Sequence, residues 1–411
     1  MNRQEQQPQD TENGGIGLPV IAVMITGMCT FLSVYCTQPL LPFLRDLFHS
    51  TEVEVSLTVS ATIFAVALTA PFIGLLAERY GRKKVIVPAL FGMTVPTLLA
   101  ATATTLHALI LWRFLQGIFV PGVIAVMIAY IGEEWEGRGV GRTMAAYVTG
   151  TVIGGFLGRF IAGMVATHIH WRATFLFIGG LNLIGAMLVA RWLPLAKNFK
   201  KAPHLSHALA EARTHFYNPR LLATFGLGFS VLFTLVGTFT YANFYLSAPP
   251  FYLTPAELGS VFFVYLLGVI ITPLSGRYLD RHGFRKTAVL AFSMSVAGLL
   301  LTLLHSLVAV IAGLAVFSSG VFISQAAATV QTGVIAGRAR SSAAGLYVTF
   351  YYLGGSAGAV ATGWAYMRGG WPASIVLLIV MLALSLLLAT LSSRDVPVQH
   401  VEEVMQQAGT D

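Results

Sequence analysis

Charge is what this sequence lacks most. Only 10% of its 411 residues are Asp, Glu, Lys or Arg, whereas about a quarter is usual in soluble domains. Apolar residues make up 56% of the chain, and its mean hydropathy is +0.74. A membrane helix needs roughly 20 apolar residues. The composition therefore excludes an ordinary soluble protein and provides enough apolar residues for about a dozen membrane spans.

Cysteine is also scarce, with only Cys29 and Cys36, seven residues apart in one apolar run. On a helix they would be separated by about 10 Å of rise, which is too far for a disulfide. The chain has no GxxxxGK[ST] loop, no HExxH motif and no pair of acids within a span. We therefore expect no catalytic, cofactor-binding or metal site, neither enzyme nor ATP-driven pump, and no cleaved signal peptide, because the first 16 residues have no basic n-region.

Twelve apolar runs follow one another along the chain. Lipid leaves backbone groups no partner outside a helix or a closed barrel, so the runs predict an all-α integral membrane protein with twelve transmembrane helices. The runs are 17–40, 55–77, 85–105, 107–131, 143–167, 173–193, 221–246, 258–275, 287–304, 307–335, 342–366 and 373–391.

The longest polar break, 194–220, lies at the middle of the chain and predicts a cytoplasmic linker between two six-helix bundles. The bundles are expected at 17–193 and 221–391, with cytoplasmic tails at 1–16 and 392–411. With both termini inside, 20 of the 25 Lys and Arg residues fall in cytoplasmic segments and three in outer loops. This is the positive-inside pattern, so the formal net charge of +8 indicates topology and argues against nucleic-acid binding.

The two halves repeat one another. Five residues of the loop after the second span recur 202 positions later, and a longer set around the fifth span recurs 200 positions later, which predicts a duplicated, pseudo-symmetric six-helix unit. The recurring residues are Gly74, Glu78 (as Asp280), Arg79, Gly81 and Lys84, then Gly137, Arg138, Tyr147, Val148, Thr149, Gly154, Gly155, Gly158, Gly163 and Trp171.

Over essentially the whole chain the sequence resembles the major facilitator superfamily. The loop GLLAERYGRKK at 74–84 is similar to the family's G-x-L-x-D-R-x-G-R-[KR]-x motif, with Glu78 in place of the usual Asp, and its second copy carries Phe284 where an Arg is usual. Arg113, Gln116 and Gly117 match the family's R-x-x-Q-G. The stretches 35–44 and 154–163 resemble the drug:proton antiporter branch, but Arg159 replaces that branch's kinking Pro, so the motif alone does not establish antiport.

The charged loops predict a conformational latch. A rocking transporter must switch between two states that differ by a few kcal/mol, and two charged hairpins on one face could hold one of them. The resemblance implies that Glu78 meets the start of the eleventh helix near Ser341 and Ser342; plain anchoring of short loops is the alternative. The expected latch residues are Gly74, Glu78, Arg79, Gly81, Arg82, Asp280, Arg281 and Gly283.

Glycines four residues apart on the fifth and eleventh helices predict close helix packing. They are Gly150, Gly154 and Gly158, with Gly354 and Gly358 in the second half.

Two Thr-x-x-Glu patterns, Thr51 to Glu54 and Thr254 to Glu257, predict capping boxes at the starts of the second and eighth helices.

Arg113 and Arg159 lie well inside spans, where Arg costs about 2.5–3.5 kcal/mol on insertion scales. Each could bind substrate, or could simply be bound by backbone carbonyls.

All seventeen acids lie in tails, loops or span ends, which leaves Asp46 as the best candidate for proton coupling. The candidate substrate or coupling residues are Arg113, Gln116, Arg159, Asp46, Tyr35, Gln38, Asn243 and Gln325.

The favoured hypothesis is a secondary transporter that moves small organic solutes by alternating access, with proton-coupled efflux. Uptake or exchange of an organic anion is the alternative, since two buried cations face no buried anion. A membrane sensor is a weaker third reading. The expected partners are a small-molecule substrate, protons and membrane lipid, with no nucleic acid. We expect a monomer in the bacterial inner membrane, with both termini cytoplasmic.

Overall fold

The computed structural model describes residues 17–135, 139–196, 215–336 and 340–393, with side chains at all of these positions except 74, 75, 78 and 340–342. The predicted tails and most of the predicted linker therefore lie outside the described residues. So do the side chain of Glu78 and those of its expected partners at 341 and 342.

Ten helices in the described part of the chain are long and apolar enough to cross a membrane. Two of these ten stretches each contain two helices separated by a break in the backbone. One breaks at Gly283, where φ is +77°, and the other at Gly369 and Gly370. The described residues therefore form twelve such helices, α1 to α12, which is the number that the apolar runs predicted.

The N-terminal half consists of α1 to α6. Their bounds are Leu18–Phe48 (α1), Glu52–Tyr80 (α2), Arg82–Ala100 (α3), Leu106–Glu134 (α4), Val140–His168 (α5) and Trp171–Trp192 (α6).

The C-terminal half consists of α7 to α12. The bounds are Pro219–Ser247 (α7), 255–282 (α8) and 284–301 (α9) within Pro255–Leu301, Leu307–Ala336 (α10), and 340–368 (α11) and 371–392 (α12) within Arg340–Ser392.

Three of the spans are not continuous α-helices. The first helix of α1 ends at Val34, and the span resumes with a 3-10 turn at Gln38–Leu40 and a helix at Leu41–Phe48. Span α4 breaks at Val120, and α8 contains a 3-10 stretch at Phe262–Leu266. The expected first span, 17–40, was therefore too short at its C-terminal end. Its interruption ends the first helix within the span, where side chains can bind carbonyls of its last turn.

The helix starts follow local sequence signals. Both predicted capping boxes are confirmed: the amide of Thr51 donates to Glu54 Oε2 at 2.8 Å, and the amide of Thr254 donates to Glu257 Oε2 at 2.8 Å. At the other end of the bundle, Gly81 has a φ of +93° between α2 and α3. Side chains rarely adopt this backbone conformation, so glycine suits the turn.

The turns divide into two faces. The basic face carries the turns at Gly81 and Gly283 and the adjoining Arg82, Lys83, Lys84, Arg285 and Lys286. The opposite face carries the turns at 49–51, 101–105, 169–170, 248–254, 302–306 and 369–370.

Candidate functional site

The two halves meet near the opposite face, along a seam formed by α2 against α11 and α5 against α8. Ser60 Oγ lies 2.8 Å from Ser356 Oγ. The amide of Ala256, in the first turn of α8, donates to Thr167 Oγ1 of α5 at 3.0 Å. The polar contacts between halves therefore come from the parts of these helices that approach the opposite face.

Glycine brings the α5 and α8 backbones together at this seam. A Cβ on Gly163 would overlap the carbonyl oxygen of Pro255, and one on Gly259 would lie 2.7 Å from the carbonyl oxygen of Arg159. Such distances are impossible for real side chains, so the approach requires glycine on both helices.

Nearer the basic face, three glycines of the seam helices have open space beside them. A Cβ at Gly141 of α5, Gly276 of α8 or Gly345 of α11 would meet no atom within 4 Å. The close approaches between the halves described above therefore lie near the opposite face.

Arg159 lies at the seam and is only 2% exposed. Its guanidinium carbon is 4.5 Å from the ring centroids of Tyr35 and Phe262, and 4.8 Å from that of Tyr265. Nη1 donates to the carbonyl of Gly155 at 2.5 Å. Tyr35 belongs to the N-terminal half and the other two rings to α8, so both halves enclose the cation. Cation–π contacts in such a dry site are worth about 2 kcal/mol or more.

Gln38 extends this cluster to α7. Its Oε1 accepts from Arg159 Nε at 2.7 Å, and its Nε2 donates to Thr240 Oγ1 at 3.3 Å. The interruption of α1 positions both Tyr35 and Gln38. Among the described residues, Arg159 Nη2 has no hydrogen-bond acceptor and Arg159 has no carboxylate partner. The guanidinium therefore lies buried with its charge uncompensated.

Arg113, which is 1% exposed, has a different environment. Nε donates to the carbonyl of Thr58 at 3.1 Å and Nη1 to that of Ser33 at 2.8 Å. Nη2 donates to the carbonyl of Val34, and Nη1 also donates to Gln116 Oε1. These contacts lie within the N-terminal half and satisfy the carbonyls where the first helix of α1 ends. Carbonyls thus bind the cation in this structure, and a substrate-binding role for Arg113 stays a prediction.

Three other candidate substrate or coupling residues have partners other than Arg159. Asn243 donates to the Phe239 carbonyl of its own helix at 2.6 Å, and Gln325 accepts from the Tyr347 hydroxyl at 3.1 Å. Asp46, with its side chain 69% exposed, pairs with Arg45 at 2.8 Å near the opposite face. The structure thus brings together Tyr35, Gln38 and Arg159, but not the remaining members of the predicted set.

Of the expected latch residues whose side chains the structure describes, Arg82, Asp280 and Arg281 lie on the basic face without an ion pair between the halves. Arg82 pairs with Glu133 of α4, in its own half, at 2.6 Å. The exposed residues Asp280 and Arg281 form no ion pair with any described residue. The latch remains a prediction about a state in which this face is closed.

The glycines of the predicted packing stripes lie against neighbouring backbones. A Cβ on Gly150, Gly154 or Gly158 would overlap carbonyl oxygens of α1, and a Cβ on Gly354 or Gly358 would overlap those of α7. Each stripe therefore packs two helices of one half. The seam glycine Gly259 and the ring of Phe262 were missed, because nothing distinguishes them in an apolar run.

Comparison with known proteins identifies the family to which this fold belongs. A family model described as Major Facilitator Superfamily matches residues 23–251 and 247–408. The chain belongs to the Major Facilitator Superfamily. It is accordingly a multi-pass membrane transporter and not an enzyme.

Individual members are similar along most of their length. The inner membrane transport protein YnfM of Escherichia coli is 31% identical over 371 residues, which cover 90% of this chain and 89% of YnfM. The uncharacterized transporter YybF of Bacillus subtilis is 30% identical over 379 residues, covering 91% and 93%. An uncharacterized transporter of Buchnera aphidicola from Schizaphis graminum is 31% identical, covering 89% and 90%.

Solved structures share the fold at low sequence identity. A bacterial homologue of the human lysosomal transporter Spinster, in an inward-facing and unoccupied conformation, superposes with a TM-score of 0.75 at 14% identity, covering 91% of this chain and 96% of that one. The nucleoside transporter NupG gives a TM-score of 0.74 at 14% identity, covering 91% and 98%.

Proposed function

We propose that this transporter moves small organic anions by alternating access, with Arg159 as the group that binds the anionic end of the substrate. The observation that carries the proposal is the uncompensated charge of Arg159 at the seam. A buried charge is costly unless it is paired. A substrate anion would supply the missing counter-charge.

The surrounding rings support a substrate with an apolar or aromatic body. Tyr35, Phe262 and Tyr265 now cover the guanidinium in cation–π contact. When the halves separate at the opposite face, Phe262 and Tyr265 move away with α8 and Arg159 becomes accessible. An anion can then replace the rings as the partner of the cation, which couples substrate binding to the opening and closing of the seam.

The test is to place a carboxylate beside each buried arginine. Gln38→Glu supplies Arg159 with an internal counter-ion, and we expect it to weaken transport of organic anions at least tenfold while the protein stays folded. Gln116→Glu is the matched control, because it adds the same charge beside Arg113, away from the seam. Uptake is measured in proteoliposomes with a panel of organic acids, organic cations and neutral dyes.

Two outcomes would overturn the proposal. One is a wild-type protein that transports only cations or neutral solutes. The other is an equal loss of transport in the two variants, which would show that any added carboxylate damages the N-terminal half.

Proton-coupled efflux is the second candidate. It is favoured by the carboxylates of Asp46 and Glu52, which bind Arg45 at 2.8 and 3.0 Å next to the seam, and the Arg45 guanidinium carbon lies 5.8 Å from the Phe244 ring of α7. A substrate flux that is unchanged by an imposed pH gradient would eliminate this candidate.

The proposed setting is a bacterial cytoplasmic membrane with both termini inside. The inner membrane relative YnfM of Escherichia coli supports the choice of membrane, and the positive charge of the basic face supports the orientation. The basic face is then cytoplasmic.

A further inference from the structure

A groove of about 620 Å³ opens at the basic face between α8 and α9, away from the seam. It is lined by Tyr278 of α8 and, on α9, by Arg285, Lys286, Val289, Leu290 and Ser293. The α9 residues recur at intervals of three or four, so they form one helix face about 12 Å long. That face is cationic at the membrane surface and apolar deeper in the membrane.

The cations of this groove have no internal partner. Arg285 and Lys286 are exposed, and neither pairs with a carboxylate in the part of the chain that the structure describes. The nearby charges on α8 are two cations, Arg277 and Arg281, and one acid, Asp280. The mouth of the groove therefore has an excess of positive charge that only an external anion can balance.

The first half of the duplication shows what the second half has lost. There, Arg82 of α3 is bound by Glu133 of α4 at 2.6 Å. At the repeat-related positions stand Phe284, 202 residues later, and Gly333, 200 residues later, and a Cβ on Gly333 would meet no atom within 4 Å. The second half thus keeps the two adjoining basic residues but has neither member of this ion pair, which leaves space beside them at Gly333.

We propose that this groove binds an anionic phospholipid of the surrounding leaflet, with its phosphate on Arg285 and Lys286 and an acyl chain along Val289 and Leu290. Both ends of the groove match such a ligand. A free phosphate would use only the charged mouth, whereas a lipid also covers Val289, whose surface is 45% exposed. The ring of Tyr278, stacked on His282 with centroids 4.2 Å apart, forms the wall at headgroup level.

The experiment compares two repeat-related double variants of the whole protein. Arg285→Gln with Lys286→Gln removes the proposed site, and Lys83→Gln with Lys84→Gln removes the same charge at the equivalent place in the first half. Purified protein in neutral detergent is titrated with phosphatidylglycerol, phosphatidylcholine and inorganic phosphate. Bound lipid is counted by native mass spectrometry and the unfolding midpoint is measured in parallel.

We expect phosphatidylglycerol to bind in preference to phosphatidylcholine and to raise the unfolding midpoint. Two basic residues near the membrane surface predict about 30-fold weaker binding in the Arg285/Lys286 variant. The Lys83/Lys84 variant should bind as the wild type does. Equal losses in the two variants, no preference for the anionic lipid, or equal stabilisation by inorganic phosphate would each overturn the proposal, and none of them depends on which solute is transported.

Discussion

Arg113 and Arg159 are both buried guanidinium groups, but their surroundings give them different tasks. The partners of Arg113 are carbonyls of α1 and α2, among them those at the end of an interrupted helix. Arg159 faces rings from the opposite half and lacks a counter-charge. The sequence shows that both are unusual, but it cannot separate them. Backbone carbonyls are present at every residue, and only the fold decides which ones an arginine reaches.

Replacing Arg113 by methionine should destabilise the protein. The change leaves the carbonyls of Ser33, Val34 and Thr58 buried without these donors, at a cost of about 3 kcal/mol or more. We expect a lower unfolding midpoint in detergent and a smaller folded yield. Arg172→Met is the control, because Arg172 is half-buried and donates to one carbonyl, that of Ala103, at 3.0 Å. A variant of Arg113 that keeps its midpoint yet no longer binds substrate would contradict the structural role.

At the scale of the helices, the apolar pattern was enough to predict twelve spans, because lipid permits few alternatives to a continuous helix of about 20 residues. It was not enough to predict where spans are interrupted. The 3-10 stretch at Phe262–Leu266 keeps an apolar composition, so hydropathy does not change there. After Val34 the polar residues Tyr35, Thr37 and Gln38 are too few to end the apolar run. Those two irregular segments carry Tyr35, Phe262 and Tyr265 to Arg159, which is why the site could be predicted only in part.

The seam between α5 and α8 depends on the absence of a side chain at Gly163. Gly163→Ala should push the two helices apart and shift molecules toward a state open at the opposite face, since a Cβ there would overlap the Pro255 carbonyl. Spin labels on Thr104→Cys and His305→Cys, both exposed on that face, should report a longer distance. Gly141→Ala on the same helix has open space around it and should leave the distance unchanged. Identical distances in both variants would show that the seam does not depend on this glycine.

At the scale of the whole molecule, the described state is set by where the halves touch. The contacts at Ser60, Thr167 and Arg159 close the opposite face, and the glycines near the basic face border open space. The duplication predicted two similar halves, but it could not predict which face is closed, because one sequence serves both states of a rocking transporter. The balance between them depends on contacts between halves, and contacts within a half persist in either state.

This view predicts that a covalent bond across the seam stops transport without unfolding the protein. Ser60 Oγ and Ser356 Oγ are 2.8 Å apart, within reach of a disulfide after both are changed to cysteine, and the native Cys29 and Cys36 are buried. Oxidation of Ser60→Cys with Ser356→Cys should abolish solute flux in proteoliposomes, and a reductant should restore it, while either single variant stays insensitive to oxidant. The bond fixes only the contact between the halves. Continued flux through the oxidised double variant would therefore mean that solutes cross without the halves separating at this face. Alternating access would then be wrong for this protein.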